Sequence, residues 1–258
     1  MQIIISPAKK MRVDTDTLEP ERLPIFLDRT RQLHEYLRTL EMEELRKLLS
    51  CNQAIAELNY ERYQNMDLER NLTPAILAYD GIQYQYMAPQ VFEGEYFRYV
   101  QERLYILSGF YGALRPMDGV TPYRLEMQAK LRTDFCKDLY DFWGANLGRE
   151  VCRGEDVVLN LASAEYSRAV RPHVPEEVRW VDCVFGELIG GKVVEKGVYV
   201  KMARGEMVRF MAERGVEDVR ELTGFDRLDY VWDEERSTPD RLVFLKGRKD
   251  RTSTKRED

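Results

Sequence analysis

The spacing of apolar and polar residues predicts short strands alternating with helices along the chain. Met1–Ile5 is a β-branched run typical of a buried strand, and Ser6-Pro7 ends it because proline lacks the N–H donor that a strand needs. In Phe26–Leu40, candidate core residues recur at alternating spacings of four and three, which predicts an amphipathic helix. Further helices are predicted over Met42–Leu49, Glu93–Tyr105, Cys136–Leu147 and from Lys201 onward.

Short β-type runs lie between these helices. Strands are predicted over Leu104–Leu107, Val157–Leu159, Arg179–Phe185 and Val193–Val200, with a turn at Gly190-Gly191 and a final hairpin of Leu228–Trp232 with Leu242–Leu245. About seven strands and eight helices in mixed order predict an α/β (mixed α+β) fold, in which helices surround a mixed central sheet. We expect one domain over residues 1–247 and a basic, flexible tail over residues 248–258.

The stretch Leu107–Met127 carries the densest set of candidate functional residues. Its many glycines and prolines predict a long loop, and loops of this length are often functional. Arg115 and Arg124 offer planar donor groups that suit phosphate or carboxylate. The candidate catalytic side chains here are Ser108, Asp118, Tyr123 and Glu126. The alternative is that these charges pair with one another and hold the loop in shape, and both interpretations stay open.

Three other segments place polar residues beside predicted strand ends. Lys9 and Lys10 follow the first strand, where open α/β sheets bind ligands, although they also fit an ordinary solvated loop. Asn160–Tyr166 predicts a strand, a polar turn and a helix, with Ser163 as a possible cap and Glu165 in the first turn. Lys201 and Arg204 are predicted at a helix start, where cations oppose the helix dipole unless an anion joins them.

The segment Leu45–Ala56 predicts two helices joined by a tight turn, with Ser50 or Asn52 as the cap. The spacing resembles a helix-hairpin-helix, which presents backbone N–H groups to a nucleic-acid phosphate. It lacks the usual glycines of that hairpin, so an ordinary pair of helices is the alternative.

Composition narrows the class of protein. The chain has 258 residues and a net charge of −6, so any nucleic-acid-binding surface must be a local basic patch. No apolar stretch approaches the ~20 residues of a membrane span. Four cysteines without a CxxC pair predict reduced thiols in the cytoplasm. Two histidines cannot form a His-rich metal site, and no dinucleotide or P-loop motif is present, so neither a metal nor a cofactor is predicted.

Several stretches together resemble the YaaA family of bacterial peroxide-stress proteins. They are Ser6–Lys10, Leu107–Met127, Tyr140–Gly144, Asn160–Tyr166 and Lys201–Met207. The resemblance implies a cytoplasmic protein that limits oxidative damage under hydrogen peroxide by lowering unincorporated iron. It also implies a single mixed α/β domain with a basic cleft, a helix-hairpin-helix element at Leu45–Leu58, and binding to duplex or distorted DNA. No established reaction comes with the family, and Met117 stands where the family usually has leucine.

Two classes of function stay open. The first is DNA binding without sequence preference, in which cations from distant segments line one cleft and contact phosphate. The cations are Lys9, Lys10, Arg115, Arg124, Lys201 and Arg204, supported by Ser163, Ser50 and Asn52. The second is an enzyme that holds a small anionic substrate, a nucleotide or a carboxylate, with the same cations.

In the enzyme hypothesis, Glu126, Asp118 or Glu165 acts as acid or base, with Ser108 or Tyr123 nearby. A closed pocket favours the small ligand, whereas a long open groove favours a nucleic-acid strand. A third idea, that Asp118, Glu126 and Glu165 bind iron directly, follows only from the phenotype implied by the family resemblance.

Overall fold

Residues 1–247, the part of the chain that this computed structural model describes, form twelve strands and ten α-helices. The strands are β1 (Gln2–Ile5), β2 (Lys10–Met11), β3 (Thr73–Pro74), β4 (Tyr79–Asp80), β5 (Leu104–Ser108), β6 (Gly112–Leu114), β7 (Gly119–Val120), β8 (Val157–Leu161), β9 (Arg179–Ile189), β10 (Lys192–Val194), β11 (Tyr230–Trp232) and β12 (Arg241–Lys246). The helices are α1 (Leu27–Thr39), α2 (Met42–Leu48), α3 (Gln53–Asn65), α4 (Ala75–Ala78), α5 (Ile82–Met87), α6 (Gly94–Arg103), α7 (Leu139–Trp143), α8 (Asn146–Val151), α9 (Ala164–Ser167) and α10 (Gly197–Arg214). The basic tail at residues 248–258, predicted to be flexible, lies outside the described residues.

The predicted mixed sheet at the centre of the fold is confirmed. Its strand order is β11-β12-β9-β8-β1-β5-β6, and β10 pairs with β9. The strands β12, β9, β8, β1 and β5 run parallel, whereas β6, β10 and β11 run antiparallel to their partners. Ile3, Ile4 and Ile5 of β1 are fully buried, as expected for a central parallel strand that is covered on both faces.

The direction in which strands are added reverses at β1. The chain passes from β1 to β5 on one side of it, and later returns to place β8 on the other side. Ile5 is the register partner of Leu161, so the carboxyl ends of β1 and β8 lie side by side. A crevice at such a reversal is the usual ligand position in open α/β sheets.

Helix α10 packs closely against α5 beside this crevice. The contact depends on Gly205, because a Cβ atom there would lie 2.1 Å from the backbone oxygen of Gln83. Gly81 similarly allows the start of α5 to approach the segment after β1, since its Cβ would lie 2.8 Å from that of Ala8. The absence of side chains at two glycines therefore brings α5, α10 and the end of β1 together.

The predicted strand at Val193–Val200 is wrong beyond its first residues. The strand β10 ends at Val194, and α10 begins at Gly197. Alternating β-branched residues over so short a stretch also fit the start of a helix, and packing against α5 decides the outcome. Lys201 and Arg204 consequently lie beyond the first turn of α10, and the expected conflict with the helix dipole does not arise.

Two further predictions require correction, and two are confirmed. Cys136–Leu147 is not one helix, because Gly144 adopts a left-handed conformation with φ of +48° and separates α7 from α8. The stretch Leu107–Met127 is mostly irregular but contains β6 and β7. The turn at Gly190-Gly191 between β9 and β10, and the final hairpin of β11 with β12, are as predicted.

The predicted pair of helices near residue 50 is present as α2 and α3, which pack against each other. Ser50 adopts a φ of +45° in the turn. The side chain of Asn52 accepts a hydrogen bond of 3.0 Å from the backbone N–H of Ile55 and so caps α3, as expected. Nucleic-acid binding by this hairpin stays a prediction.

Two general features of residues 1–247 bear on the sequence analysis. None of their helices is both long and apolar enough to cross a bilayer. All four cysteines are free thiols, with Cys51 partly exposed and the other three buried.

Candidate functional site

A cavity of about 370 Å³ lies at the carboxyl ends of β1 and β8, and we call it the switch-point cavity. Its wall consists of residues 6–10 after β1, residues 80–84 at the start of α5, residues 123–126, Ser163, Glu165 and Tyr166 after β8, and Lys201 and Arg204 of α10. The volume falls within the range of sites that enclose small molecules.

Cations from distant segments meet at the switch-point cavity. Five of the six predicted cations line it, namely Lys9, Lys10, Arg124, Lys201 and Arg204. The carboxylates in its wall are Asp80, Glu126 and Glu165. Cations outnumber carboxylates here although the whole chain carries a net charge of −6, so the cavity is a local positive site on an acidic protein.

Glu126 joins two of these cations through one oxygen. Its Oε1 lies 3.0 Å from Nζ of Lys9 and 3.0 Å from Nη2 of Arg124. Burial raises the pKa of Glu126, but the hydrogen bonds and charges of the two cations lower it by more. The pKa of Glu126 therefore lies below its ordinary value. Glu126 is therefore ionised at neutral pH.

Glu165 is shifted in the opposite direction. Burial raises the pKa of this carboxyl, and the nearby charge of Glu126 raises it further. A hydrogen bond of 3.2 Å from the backbone N–H of Gln128 to Oε1 opposes the rise only in part. Neighbouring carboxyl groups whose pKa values are pushed apart are the usual arrangement of a general acid beside a general base.

Because the pKa values of Glu126 and Glu165 are shifted in opposite directions, replacing each residue by glutamine should change the stability of the protein in opposite directions. Glu126 stabilises the fold above its ordinary pKa and loses this effect as pH falls through its lowered pKa, so Glu126→Gln should destabilise the protein at pH 7 by about 1–2 kcal/mol through loss of partly buried ion pairs. Glu165 has a raised pKa, so stability falls as pH rises through it, and Glu165→Gln should stabilise the protein at pH 7.

Urea unfolding of both variants at pH 7 and at acid pH measures these effects. Both differences from the wild type should shrink at acid pH, where the native carboxyls are also protonated. Equal effects of one sign at pH 7 would contradict the assignment of opposite shifts.

Three of the cavity cations have no ion pair within 4.0 Å in the described part of the chain. They are Lys10, Lys201 and Arg204. Arg204 is half-buried, its Nε is buried without a hydrogen-bond partner among residues 1–247, and burial lowers its pKa. Buried donors without a partner are uncommon in folded proteins, and here the free donor lies at the wall of a cavity.

A chain of buried hydroxyl groups lies behind the switch-point cavity. The hydroxyl of Tyr123 is 2.6 Å from Oγ of Ser108 and 2.8 Å from the hydroxyl of Tyr79. Oγ of Ser108 also accepts hydrogen bonds from the backbone N–H groups of Phe110 and Tyr111. Burial raises the pKa of Tyr123 to about 12, so its phenol stays protonated. Tyr123 lines the cavity, whereas the fully buried Ser108 supports it from behind.

Two predicted site residues hold the loop instead of lining the cavity. The guanidinium of Arg115 lies 3.7 Å from the ring centre of Tyr105 and donates to Oε1 of Gln2 at 3.0 Å. Asp118 is buried and accepts hydrogen bonds from Nε of Arg22 at 2.7 Å and from the backbone N–H of Arg115 at 2.8 Å. Arg115 and Asp118 therefore hold the loop in shape, which is the alternative given for this stretch in the sequence analysis.

The proposed iron ligands do not come together. Among residues 1–247, no three His, Cys, Asp or Glu side chains are placed to hold a metal ion. Glu126 and Glu165 line the switch-point cavity, whereas Asp118 pairs with Arg22 elsewhere. The idea that these three carboxylates form an iron site is wrong.

The remaining predicted residues lie at or near the cavity. The backbone N–H of Ser163 donates to Oγ of Ser6 at 2.8 Å, which joins the ends of β8 and β1. Ser50 and Asn52 do not line the cavity, but the thiol of Cys51 between them lies within electrostatic reach of Arg124 and Glu126. Helix α3 itself contacts a wall residue, since the hydroxyl of Tyr63 donates a hydrogen bond of 2.7 Å to the backbone oxygen of Arg124.

Sequence reasoning missed Gln83, a wall residue that is only 6% exposed. Its Nε2 is buried and has no hydrogen-bond partner in the described range. The dipeptide Asp80-Gly81 predicts a tight turn, whereas in the structure a helix starts directly after it, at Ile82. A polar residue among the tyrosines of this segment was the available signal.

Comparisons with known proteins agree with the resemblance seen in the sequence. Residues 1–236 match the family model described as peroxide stress protein YaaA. A UPF0246 protein of Desulfitobacterium hafniense (strain Y51) is 57% identical over 246 residues, which cover 95% of this chain and 98% of the relative. A UPF0246 protein of Lachnoclostridium phytofermentans is 55% identical over 247 residues, which cover 96% of this chain and 97% of the relative. This chain therefore belongs to the YaaA family of peroxide stress proteins.

Proposed function

We propose that this protein binds a small anionic ligand, carrying a phosphate or carboxylate group, in the switch-point cavity, and serves the peroxide-stress response through that ligand. The observation that supports this most strongly is the set of cations without ion pairs, above all the half-buried Arg204. A buried charge without a partner is costly, and an anion in the cavity would remove that cost.

The shape of the site favours a small ligand over a nucleic-acid strand. The wall comes from five separate segments around about 370 Å³, a volume that suits a metabolite and not a duplex. The pair of Glu165 and Glu126 would add a carboxyl group with a raised pKa and an ionised carboxylate to the same cavity. The enzyme hypothesis thus stays within this proposal as a chemical step on the bound anion.

Removal of the two exposed cations tests the proposal. We expect the double variant Lys10→Ala/Lys201→Ala to bind anions about tenfold or more weakly, because it loses two charge-assisted contacts. Calorimetry with pyrophosphate, citrate and adenosine diphosphate as probes measures the change.

Lys47→Ala is the matched control, since Lys47 is exposed on α2 and is not part of the cavity wall. It should bind as the wild type does. No binding of any probe by the wild type, or equal binding by wild type and double variant, would contradict the proposal.

A second candidate is DNA binding at the mouth of the cavity. The observation that favours it is the contact between the α2–α3 hairpin and the cavity wall, in which the hydroxyl of Tyr63 on α3 donates to the backbone oxygen of Arg124 at 2.7 Å. Glu126 of the same wall holds the exposed Lys9. Affinity for duplex and junction DNA should then fall steeply with salt, and Lys9→Ala/Lys10→Ala should weaken all sequences alike. A flat salt dependence would count against it. On either proposal, any limitation of iron-dependent damage would be indirect.

A further inference from the structure

The side chain of Gln83 is the least explained group in the switch-point cavity. It lies on α5, is only 6% exposed, and belongs to the cavity wall. Its Nε2 donates no hydrogen bond to the described residues, and its amide oxygen accepts none from them. A buried primary amide can make several hydrogen bonds, so this residue of the cavity wall has a hydrogen-bonding capacity that no described residue uses.

The position of this amide is fixed by the contact between two helices. Gly205 of α10 approaches so closely that a Cβ atom there would lie 2.1 Å from the backbone oxygen of Gln83 and 2.9 Å from the backbone nitrogen of Met87. The backbone that carries Gln83 is therefore held against α10. Because Nε2 is buried, binding of a ligand to the amide would require rotation of the Gln83 side chain, while the backbone stays in place.

The neighbouring residue on α10 supplies a second free donor. Arg204 directly precedes Gly205, lines the same cavity, and has a buried Nε without a partner in residues 1–247. The helix contact thus brings together an amide, which offers a donor and an acceptor, and a cation, which offers donors only. Tyr84, Tyr123 and Tyr166 also belong to the wall, and each is at most 6% exposed.

We infer that the inner end of the switch-point cavity binds the amide-like edge of a planar heterocyclic base, and that the anionic ligand is a nucleotide. A glutamine amide pairs in a bidentate manner with a base edge that offers one donor and one acceptor. The exposed Lys10 and Lys201 at the outer end would meet the phosphate.

This inference rests on the proposed function and specifies its ligand, so the test compares two phosphates that differ only in the base. Calorimetry with the nucleoside monophosphates and with ribose 5-phosphate measures the contribution of the base. We expect at least one nucleotide to bind the wild type about tenfold or more tightly than ribose 5-phosphate, as one bidentate contact implies.

Gln83→Leu should abolish this preference, so that nucleotides and ribose 5-phosphate bind the variant equally. Its melting temperature should equal or exceed that of the wild type, because leucine leaves no unpaired amide in the interior. A folding defect then cannot explain the loss. Gln85→Leu is the matched control, since Gln85 lies on the exposed side of the same helix and outside the cavity wall, and it should keep the preference.

The possible outcomes distinguish failure of the nucleotide inference from failure of the proposed anion site. Equal binding of nucleotides and ribose 5-phosphate by the wild type, or an unchanged preference in Gln83→Leu, would overturn the inference and leave the anion site standing. If neither kind of phosphate binds while pyrophosphate or citrate does, the inference fails and the anion site stands, whereas binding of none of these probes would overturn the proposed function itself. The comparison in the wild type needs no variant, so the inference can be tested even if Gln83→Leu does not fold.

Discussion

Arg204→Met is expected to weaken binding of anionic ligands strongly and at the same time to stabilise the protein against urea. The arginine places a charge at the half-buried wall of the switch-point cavity, and no carboxylate of residues 1–247 pairs with it. Methionine has a similar length without the charge, so the variant loses the charge-assisted contact, about 2–3 kcal/mol or 30- to 150-fold in affinity. It should gain about 1 kcal/mol in the free energy of unfolding, because an uncompensated charge is removed.

Arg209→Met provides the control on the same helix. Arg209 pairs with Glu213 at 2.7 Å and is not part of the cavity wall, so its replacement should leave ligand binding unchanged. Calorimetry and urea unfolding on the two variants give both quantities. Undiminished binding of pyrophosphate and nucleotides by Arg204→Met would remove Arg204 from the site.

Gly205→Ala is expected to destabilise the protein by about 2–4 kcal/mol, because overpacking against backbone atoms forces α10 away from α5. Intrinsic helix propensity predicts the opposite sign, since alanine in a helix is favoured over glycine by about 1 kcal/mol. The sign of the change therefore decides whether the close approach or the propensity dominates.

Gly197→Ala gives the comparison at the start of the same helix, where a Cβ atom would meet nothing within 4 Å. This variant should be neutral or slightly more stable than the wild type. Urea unfolding of both variants at pH 7 measures the difference. A Gly205→Ala protein as stable as Gly197→Ala would show that α10 can move without cost, and the rigid placement of Gln83 would then be wrong.

The elements that sequence reasoning predicted well are those that a local pattern specifies. The β-branched run at β1 and the periodic core positions of α1 each follow from a few neighbouring residues. The start of α10 was predicted incorrectly because Val198 and Val200 alternate as in a strand until packing against α5 is known. Local pattern and tertiary contact disagree there, and the contact decides.

The candidate site shows the same division. Lys9 and Glu165 could be predicted because each follows a strand that ends at the crevice. Arg115 has the same chemistry as Arg124, and only the distant Tyr105 distinguishes its structural role. Gln83 carries only a weak local signal, a polar residue among tyrosines, because its backbone is placed by a glycine more than a hundred positions later in the chain.

The bond between the N–H of Ser163 and Oγ of Ser6 has a consequence for selectivity. This hydrogen bond joins the segments that follow β1 and β8, so the sheet fixes the width of the switch-point cavity there. The cavity cannot widen to admit a thicker ligand. Lys10 and Lys201 are long, exposed side chains of the same wall and form no ion pair within residues 1–247. We therefore expect the protein to select ligands strictly by the thickness of the part that enters the cavity. It should tolerate different lengths of the part that extends into solvent.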